Sequence, residues 1–141
     1  VCLSKGLGAP VGSVLCGSKA LISSARRWRK MLGGGMRQSG IIAAAGLYAL
    51  ENNVERLADD HSRATQLAAG LEKHHWLKVE APQTNMVFVH LPAERGQRLL
   101  KHLYSHGVLA TGGAVIRMVT HLDVDDAGIA QALDAFARFQ A

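Results

Sequence analysis

The stretch CLSKGLGAPVGS, residues 2–13, places one lysine, Lys5, in a glycine-rich turn between two short apolar segments. Those segments, residues 1–3 and 11–16, have the apolar and β-branched composition of strands. The glycines after Lys5 tolerate backbone conformations that other residues avoid, and Pro10 stiffens the end of the turn. The stretch therefore predicts a lysine on a strand-to-strand turn, where little side-chain bulk shields the amine.

The position of Lys5 has two interpretations. An amine that stands on rigid backbone, where a carbonyl compound can approach it, suits a Schiff-base lysine for pyridoxal phosphate. Gly6 and Gly8 would then let the backbone come close to a planar ligand. An exposed turn lysine without chemistry fits the same pattern, and the stretch alone does not distinguish the two.

Two helices are predicted to follow this turn. Ser18 is a plausible N-cap for a helix that ends near Leu32, before the three glycines 33–35. A second helix is predicted from near Met36 through Leu50, and its many glycines and alanines suit close, buried packing, including at a subunit contact. The first helix has apolar residues at helical spacing, which predict a buried stripe: Leu21, Ala25, Trp28 and Leu32.

The rest of the chain alternates between helices and strands. A long helix is expected from about Leu57 to His74, followed by strands at 77–80, 86–90, 108–110 and 115–120 and helices at 95–106 and 125–139. The pattern predicts an α/β protein in which residues 1–50 end a large α/β domain and residues 51–141 form a small α+β domain. Because the first 50 residues begin in a sheet that they do not complete, we expect the C-terminal part of a larger protein.

The positive charge is concentrated in one segment. The net charge is +5, yet residues 19–37 contain six basic and no acidic residues. A local patch indicates a bound anion or a charged partner surface, and it argues against a protein coated with positive charge for nucleic acid. No apolar run reaches the roughly 18 residues of a membrane span, and no signal peptide is visible. We therefore expect a cytoplasmic protein, with Cys2 and Cys16 as buried free thiols.

Three basic residues are candidates for binding anions. Lys30 and Arg37 flank the glycines 33–35, where free backbone amides at a helix start would favour an anion. Arg117 lies on a strand among apolar residues, and a carboxylate is its natural partner. A flexible hinge with solvated side chains is the alternative for the first two residues. An internal ion pair with an Asp or Glu is the alternative for Arg117.

The histidines do not predict a metal site. His102 and His106 are four positions apart on a helix, but no third ligand accompanies them, and an exposed helix face is favoured. His121 and Asp123 form either an active-site pair or a connection in which Asp125 caps the last helix. The connection is the favoured interpretation of this segment.

Four motifs occur together and carry a resemblance to a known family. They are CLSKGLGAPVGS, RWRKMLGGGMRQSGIIAAAGLYAL, TNMVFV and IRMVTHLDV, in this order. With them the chain resembles, over essentially its whole length, the C-terminal part of low-specificity L-threonine aldolases. These enzymes belong to the aspartate-aminotransferase-like fold group and use pyridoxal phosphate. The resemblance implies cleavage of L-threonine or L-allo-threonine, and related β-hydroxy-α-amino acids, to glycine and an aldehyde.

The resemblance also implies roles for single residues. Lys5 matches the lysine that bonds covalently to the cofactor. Lys30 and Arg37 match basic residues near the cofactor phosphate, in the same or a neighbouring subunit. Arg117 matches the arginine that holds the substrate α-carboxylate, and Asn85 of the TN motif receives no role. The family is usually a homotetramer, a dimer of dimers, with active sites at subunit interfaces.

The chain departs from the family by starting just before the lysine. The family's stacking histidine, the aspartate for the pyridine nitrogen and the main phosphate-binding residues lie upstream of that point. Two alternatives to the aldolase therefore stay open. One is a catalytically incomplete fragment that acts only in assembly, and the other is a related pyridoxal-phosphate lyase or racemase.

Overall fold

Two helices and one β-bridge organise the first part of the chain in the computed structural model, which describes residues 1–140. The described residues divide into two units, 1–56 and 57–140, and Ala141 of the predicted small domain lies outside them. In the first unit, α1 spans Lys19–Met31 and α2 spans Gly40–Asn52. Among the described residues, no helix combines the length and the apolar character that crossing a membrane requires.

Local interactions set the ends of α1. The Ser18 hydroxyl accepts a hydrogen bond from the Leu21 amide at 3.3 Å, which confirms the predicted N-cap. After the last helical residue, the Leu32 amide bonds to the Trp28 carbonyl, and Gly33 takes a φ of +87° that favours glycine. The first helix therefore has both its predicted start and its predicted stop.

The predicted burial of the first unit is wrong for α1 and for both cysteines, and it is met by only part of α2. Within residues 1–56, α1 buries none of its side chains, so the predicted stripe through Trp28 is exposed. Only Gly46 and Ala49 of α2 are buried, because this unit has no second layer over the other faces. Cys2 and Cys16 are exposed as well. The two predicted strands pair only at a single bridge, Cys2 to Ser13, and no sheet covers the thiols.

A four-stranded antiparallel sheet forms the centre of the second unit. Its strands lie in the order β1-β2-β4-β3. Strand β2 pairs with β4 along its whole length, from Met86 opposite Val119 to His90 opposite Val115. The four strands are β1 (Lys78–Val79), β2 (Met86–His90), β3 (Thr111–Gly112) and β4 (Val115–Val119), and the three helices are α3 (Leu57–Leu71), α4 (Ala93–Ser105) and α5 (Asp126–Ala137).

The second unit has two layers, because the three helices cover one face of the sheet. Alternate residues of the central strands, such as Val87 and Ile116, are buried with helix residues such as Leu99 and Phe136 in one apolar core. The opposite face of β4 carries the exposed residues, as expected from the two-residue period of a strand. This unit therefore has a continuous core of its own.

The bounds of two elements differ from those predicted from the sequence. The third strand was expected at residues 108–110, but β3 is at Thr111–Gly112 because the Val108 amide bonds to the Leu103 carbonyl and closes the end of α4. The second helix begins at Gly40 and not near Met36. Residues 36–39 lie in the connection to α2, where the side chain of the N-cap residue, Ser39, makes no capping hydrogen bond.

Candidate functional site

Lys5 lies at the first position of a tight turn. The Gly8 amide donates to the Lys5 carbonyl at 2.8 Å, and Gly8 has a φ of +73° that suits glycine. Leu3 and Leu7 on either side are buried, whereas the Lys5 side chain is exposed. Leu3 packs against α2, since a Cβ added at Gly46 would lie 3.0 Å from Leu3 Cδ1. The turn is therefore anchored through leucines and presents the amine outward.

Two side chains from the end of the first unit bind this turn. Asn53 Nδ2 donates to the Leu7 carbonyl at 2.7 Å, and Arg56 Nη1 donates to the Gly6 carbonyl at 3.1 Å. Sequence reasoning assigned neither residue a role. Contacts between residues 46 and 50 positions apart leave no local pattern that would have indicated them.

A thiol lies next to the lysine turn. Cys2 Sγ is 3.4 Å from the Ser4 hydroxyl, and this hydrogen bond lowers the pKa of the Cys2 thiol. The backbone of Ser4 and the positive charge of Lys5 act in the same direction. The surroundings of Lys5 therefore stabilise negative charge at a neighbouring atom.

Lys30 folds back over the glycines that end α1. A Cβ added at Gly35 would lie 2.5 Å from Lys30 Cδ and 2.8 Å from Lys30 Nζ, so the lysine side chain lies directly against the Gly35 backbone. Arg37 is exposed in the connection before α2, and it is not the second residue of a helix as predicted. In the described residues, neither of these basic side chains has an ion pair or a hydrogen bond, and none links either of them to Lys5.

Arg117 lies in the centre of β4. It pairs with Phe88 of β2 and Thr111 of β3, and its side chain is on the exposed face of the sheet with Val115 and Val119. No carboxylate within the described residues pairs with it. The alternative of an internal ion pair is therefore not realised in this part of the chain, and the guanidinium has its donors available for an anion.

Asn85 ties the two central strands together at their ends. Its side-chain Nδ2 donates to the Thr120 carbonyl at 2.8 Å, and the Thr120 amide donates to the Asn85 carbonyl at 3.0 Å. The buried Thr120 hydroxyl also donates to the Asp60 carbonyl at 2.7 Å. The TN motif therefore continues the pairing of β2 with β4, three positions beyond Arg117.

His102 and His106 pack against neighbouring groups of the second unit. His102 Nε2 bonds to the Ala135 carbonyl at 2.9 Å, and its ring lies 4.2 Å from that of His106. Both rings are half-buried, so the predicted exposed face is wrong. No group of three or more metal-ligating side chains occurs in the part of the chain that the structure describes.

Asp125 accepts a hydrogen bond from the Gly128 amide at 2.8 Å, which confirms the predicted cap of α5.

Comparisons with known proteins match this chain to one family. A family model described as beta-eliminating lyase matches residues 1–94. The low specificity L-threonine aldolase of Escherichia coli K12 is 49% identical over 131 residues, which are 93% of this chain and 39% of that protein. Low-specificity L-threonine aldolase 1 of Arabidopsis thaliana is 43% identical over 145 residues, or 96% of this chain and 40% of that protein. These matches confirm the resemblance that the four motifs predicted.

A solved structure supports the fold. The 8-amino-7-oxononanoate synthase of Francisella tularensis aligns with a TM-score of 0.72 at 20% identity and covers 96% of this chain and 43% of its own. The predicted α/β fold class is confirmed by this likeness. The chain spans about two fifths of the length of the curated relatives it matches.

Proposed function

Because this chain belongs to the beta-eliminating lyase family, we propose that it carries part of the active site of a pyridoxal-phosphate-dependent aldolase. The proposed reaction cleaves L-threonine or L-allo-threonine to glycine and an aldehyde. The curated relatives named as threonine aldolases support this substrate class. The observation that carries the proposal is Lys5, an exposed amine on a turn that leucines, Asn53 and Arg56 anchor.

The residues of this chain fit pyridoxal phosphate at two points. An aldehyde requires an accessible amine, and Lys5 is exposed beside two glycines that carry no side chain. A phosphate requires cations near backbone amides, and Lys30 Nζ lies over Gly35 with Arg37 two positions further on. When bound, the cofactor supplies an electron sink for the charge left on the substrate Cα after the Cα–Cβ bond breaks.

Lys5 and Arg117 have different tasks in the proposed reaction. Lys5 Nζ would hold the cofactor through a covalent bond to its aldehyde carbon, a task that needs an uncharged amine. Arg117 binds the α-carboxylate of the amino acid with a fork of N–H donors. By fixing that carboxylate, Arg117 orients the breaking bond, an effect that contributes several kcal/mol in well-aligned reactions.

The proposal extends to the domain organisation and the oligomeric state of the protein. We propose that residues 1–50 belong to a large cofactor-binding domain and residues 51–141 to a small domain. We propose a cytoplasmic homotetramer, a dimer of dimers, in which Lys30 and Arg37 act in the same or a neighbouring subunit. Exposed apolar side chains on both helices of the first unit support an interface there, including Trp28 of α1 and Tyr48 of α2.

The same exposed helices favour a second candidate function. A fragment without catalytic activity would still offer these faces for assembly with other chains. Activity separates the two candidates, because an assembly piece would release no glycine. A related lyase or racemase would consume the amino acid without forming an aldehyde.

The test of the proposed function measures glycine and aldehyde release from L-threonine by the full-length gene product with added pyridoxal phosphate. We expect Lys5→Ala to lower kcat by roughly 10³-fold or more, since it removes the covalent attachment. Lys19→Ala is the matched control, because Lys19 is an exposed lysine at the start of α1. Equal activities for K5A and K19A, or no aldehyde from the unaltered protein, would reject the proposal.

A further inference from the structure

We infer that Asn53 and Arg56 are positioning residues that hold the turn of Lys5 in its reactive geometry. The inference rests on the proposed function of Lys5. It concerns two side chains far from the lysine in sequence, and it assigns them no direct contact with substrate or cofactor. Their action is on the backbone of the turn, at the two carbonyls that follow Lys5.

The two side chains bind consecutive peptide groups. The bond from the Gly8 amide to the Lys5 carbonyl makes Gly6 and Leu7 the central residues of the turn. Arg56 donates to the carbonyl of the first central residue and Asn53 to that of the second. Rotation of either peptide plane would therefore break a hydrogen bond, so the two donors fix the direction in which the chain leaves Lys5.

The carbonyls of Gly6 and Leu7 depend on these two donors. Within the described residues, no backbone amide donates to the carbonyl of Gly6 or Leu7. Asn53 and Arg56 are half-buried, and Leu7 is 8% exposed, so competition from water at the turn is reduced. Loss of a side-chain donor would leave a shielded carbonyl without its partner, which is the costly case for a hydrogen bond.

The neighbouring residue Asn52 provides a matched control. Its Nδ2 donates to the Tyr48 carbonyl at 2.9 Å, within its own helix, and its side chain is exposed. Asn52 and Asn53 thus have the same chemistry and adjacent positions on the chain. They differ in whether the amide reaches the lysine turn, which is the property to be tested.

The first experiment uses the full-length gene product without cofactor and measures amide hydrogen exchange at Gly8, the amide that closes the turn. Asn53→Asp keeps the side-chain shape and removes the N–H donors. We expect it to speed exchange at Gly8 roughly tenfold, and we expect N52D to leave this rate unchanged. The Ile116 amide in the core of the second unit reports unfolding of that unit in the same sample.

The second experiment adds pyridoxal phosphate and traps the bond to Lys5 with borohydride, with labelled peptide measured by mass spectrometry. We expect N53D and R56M to slow labelling roughly tenfold. Arg56→Lys, which keeps a charge and a donor, should restore much of the rate. N52D should label at the rate of the unaltered protein.

Three outcomes of these experiments would contradict either the positioning role of Asn53 and Arg56 or the proposed function of Lys5. Equal Gly8 exchange in N53D and N52D would overturn the inference. Faster Gly8 exchange with unchanged labelling would also overturn it, because the donors would then stabilise the turn without positioning Lys5. If the unaltered protein takes no label at Lys5, the proposed function fails, whereas the exchange comparison still reports whether Asn53 restrains the turn.

Discussion

At the scale of single residues, the availability of Arg117 leads to a prediction about substrate binding. The guanidinium is exposed on the open face of the sheet and pairs with no carboxylate in the described part of the chain. If it binds the substrate carboxylate, Arg117→Met removes a charge-assisted hydrogen bond worth about 1.5–3 kcal/mol. We expect KM for L-threonine to rise roughly 10- to 150-fold in steady-state assays of the full-length protein.

Arg138 provides the comparison for this prediction. It is an exposed arginine of the same unit, and it pairs with Asp134 at 2.8 Å on the surface. Such surface pairs contribute little, so R138M should leave KM within about twofold. Similar KM values for R117M and R138M would contradict the proposed role of Arg117 in binding the substrate carboxylate. A much smaller increase in R117K would indicate that charge, more than the fork of donors, holds the carboxylate.

Residues whose partners are close in sequence were the ones that sequence reasoning could place. Ser18 and Asp125 were predicted as caps, and both accept a hydrogen bond from an amide three positions ahead. Asn53 and Arg56 were missed because their partners lie 46 and 50 positions away. For Lys5, Lys30, Arg37 and Arg117 the local sequence left two interpretations open. The family resemblance implied one of them, and these roles stay predictions.

At the scale of elements, the packing of α4 on the β3–β4 hairpin depends on one glycine. A Cβ added at Gly96 would lie 2.0 Å from the Gly113 carbonyl oxygen, which is backbone and cannot rotate away. We expect Gly96→Ala to lower the free energy of unfolding by about 1–3 kcal/mol, as in other overpacked sites. Urea unfolding followed by circular dichroism measures this change.

Gly128 is the matched glycine for this test. A Cβ there would meet Asp125 Oδ1 at 3.4 Å, an ordinary contact, on the first turn of α5. Because alanine is the better helix former, G128A should keep or raise the free energy of unfolding, by up to about 1 kcal/mol. A G96A protein as stable as G128A would show that α4 can shift relative to the hairpin at little cost.

The positions of helices and strands were predicted correctly where the apolar periodicity was strong. The predictions were wrong where backbone hydrogen bonds set the end of an element. A strand was predicted at residues 115–120, and β4 shows the alternation of a strand, with Ile116 and Met118 buried on one face. The third strand was placed too early because residues 108–110 are apolar, yet the Val108 amide closes α4. The start of α2 was missed because the polar residues before Gly40 made a helix start near Met36 plausible as well.

At the scale of the whole molecule, apolar burial is unequal between the two units. The second unit buries a continuous core that includes Phe136, Leu99 and Ile116, each 0% exposed. The first unit buries only a few hydrophobic side chains: Leu3, Leu7, Ala9 and Ala49. Composition did not reveal this difference, because both segments are rich in apolar residues and α1 was expected to bury its stripe. Burial depends on which faces meet, and that is a property of the fold.

This inequality predicts that the two units differ in independent stability. A polypeptide that starts at residue 57 contains the whole sheet with its three helices, so it should unfold cooperatively in urea. Its expected slope is about 1 kcal/mol per molar urea, the low end for small domains. Residues 1–56 alone should show no cooperative transition, because so few buried side chains do not offset the lost chain entropy. Circular dichroism and amide dispersion in NMR spectra measure both.

A second starting point tests the predicted domain boundary after residue 50. A polypeptide that starts at residue 51 adds Asn53 and Arg56, whose side chains donate hydrogen bonds to carbonyls of the lysine turn. Because residues 51–56 fall within the first unit, we expect the two starting points to give the same midpoint of unfolding. A clearly higher midpoint for the longer polypeptide would place residues 51–56 with the small domain. Failure of both to unfold cooperatively would show that the core around Phe136 needs the first unit to form.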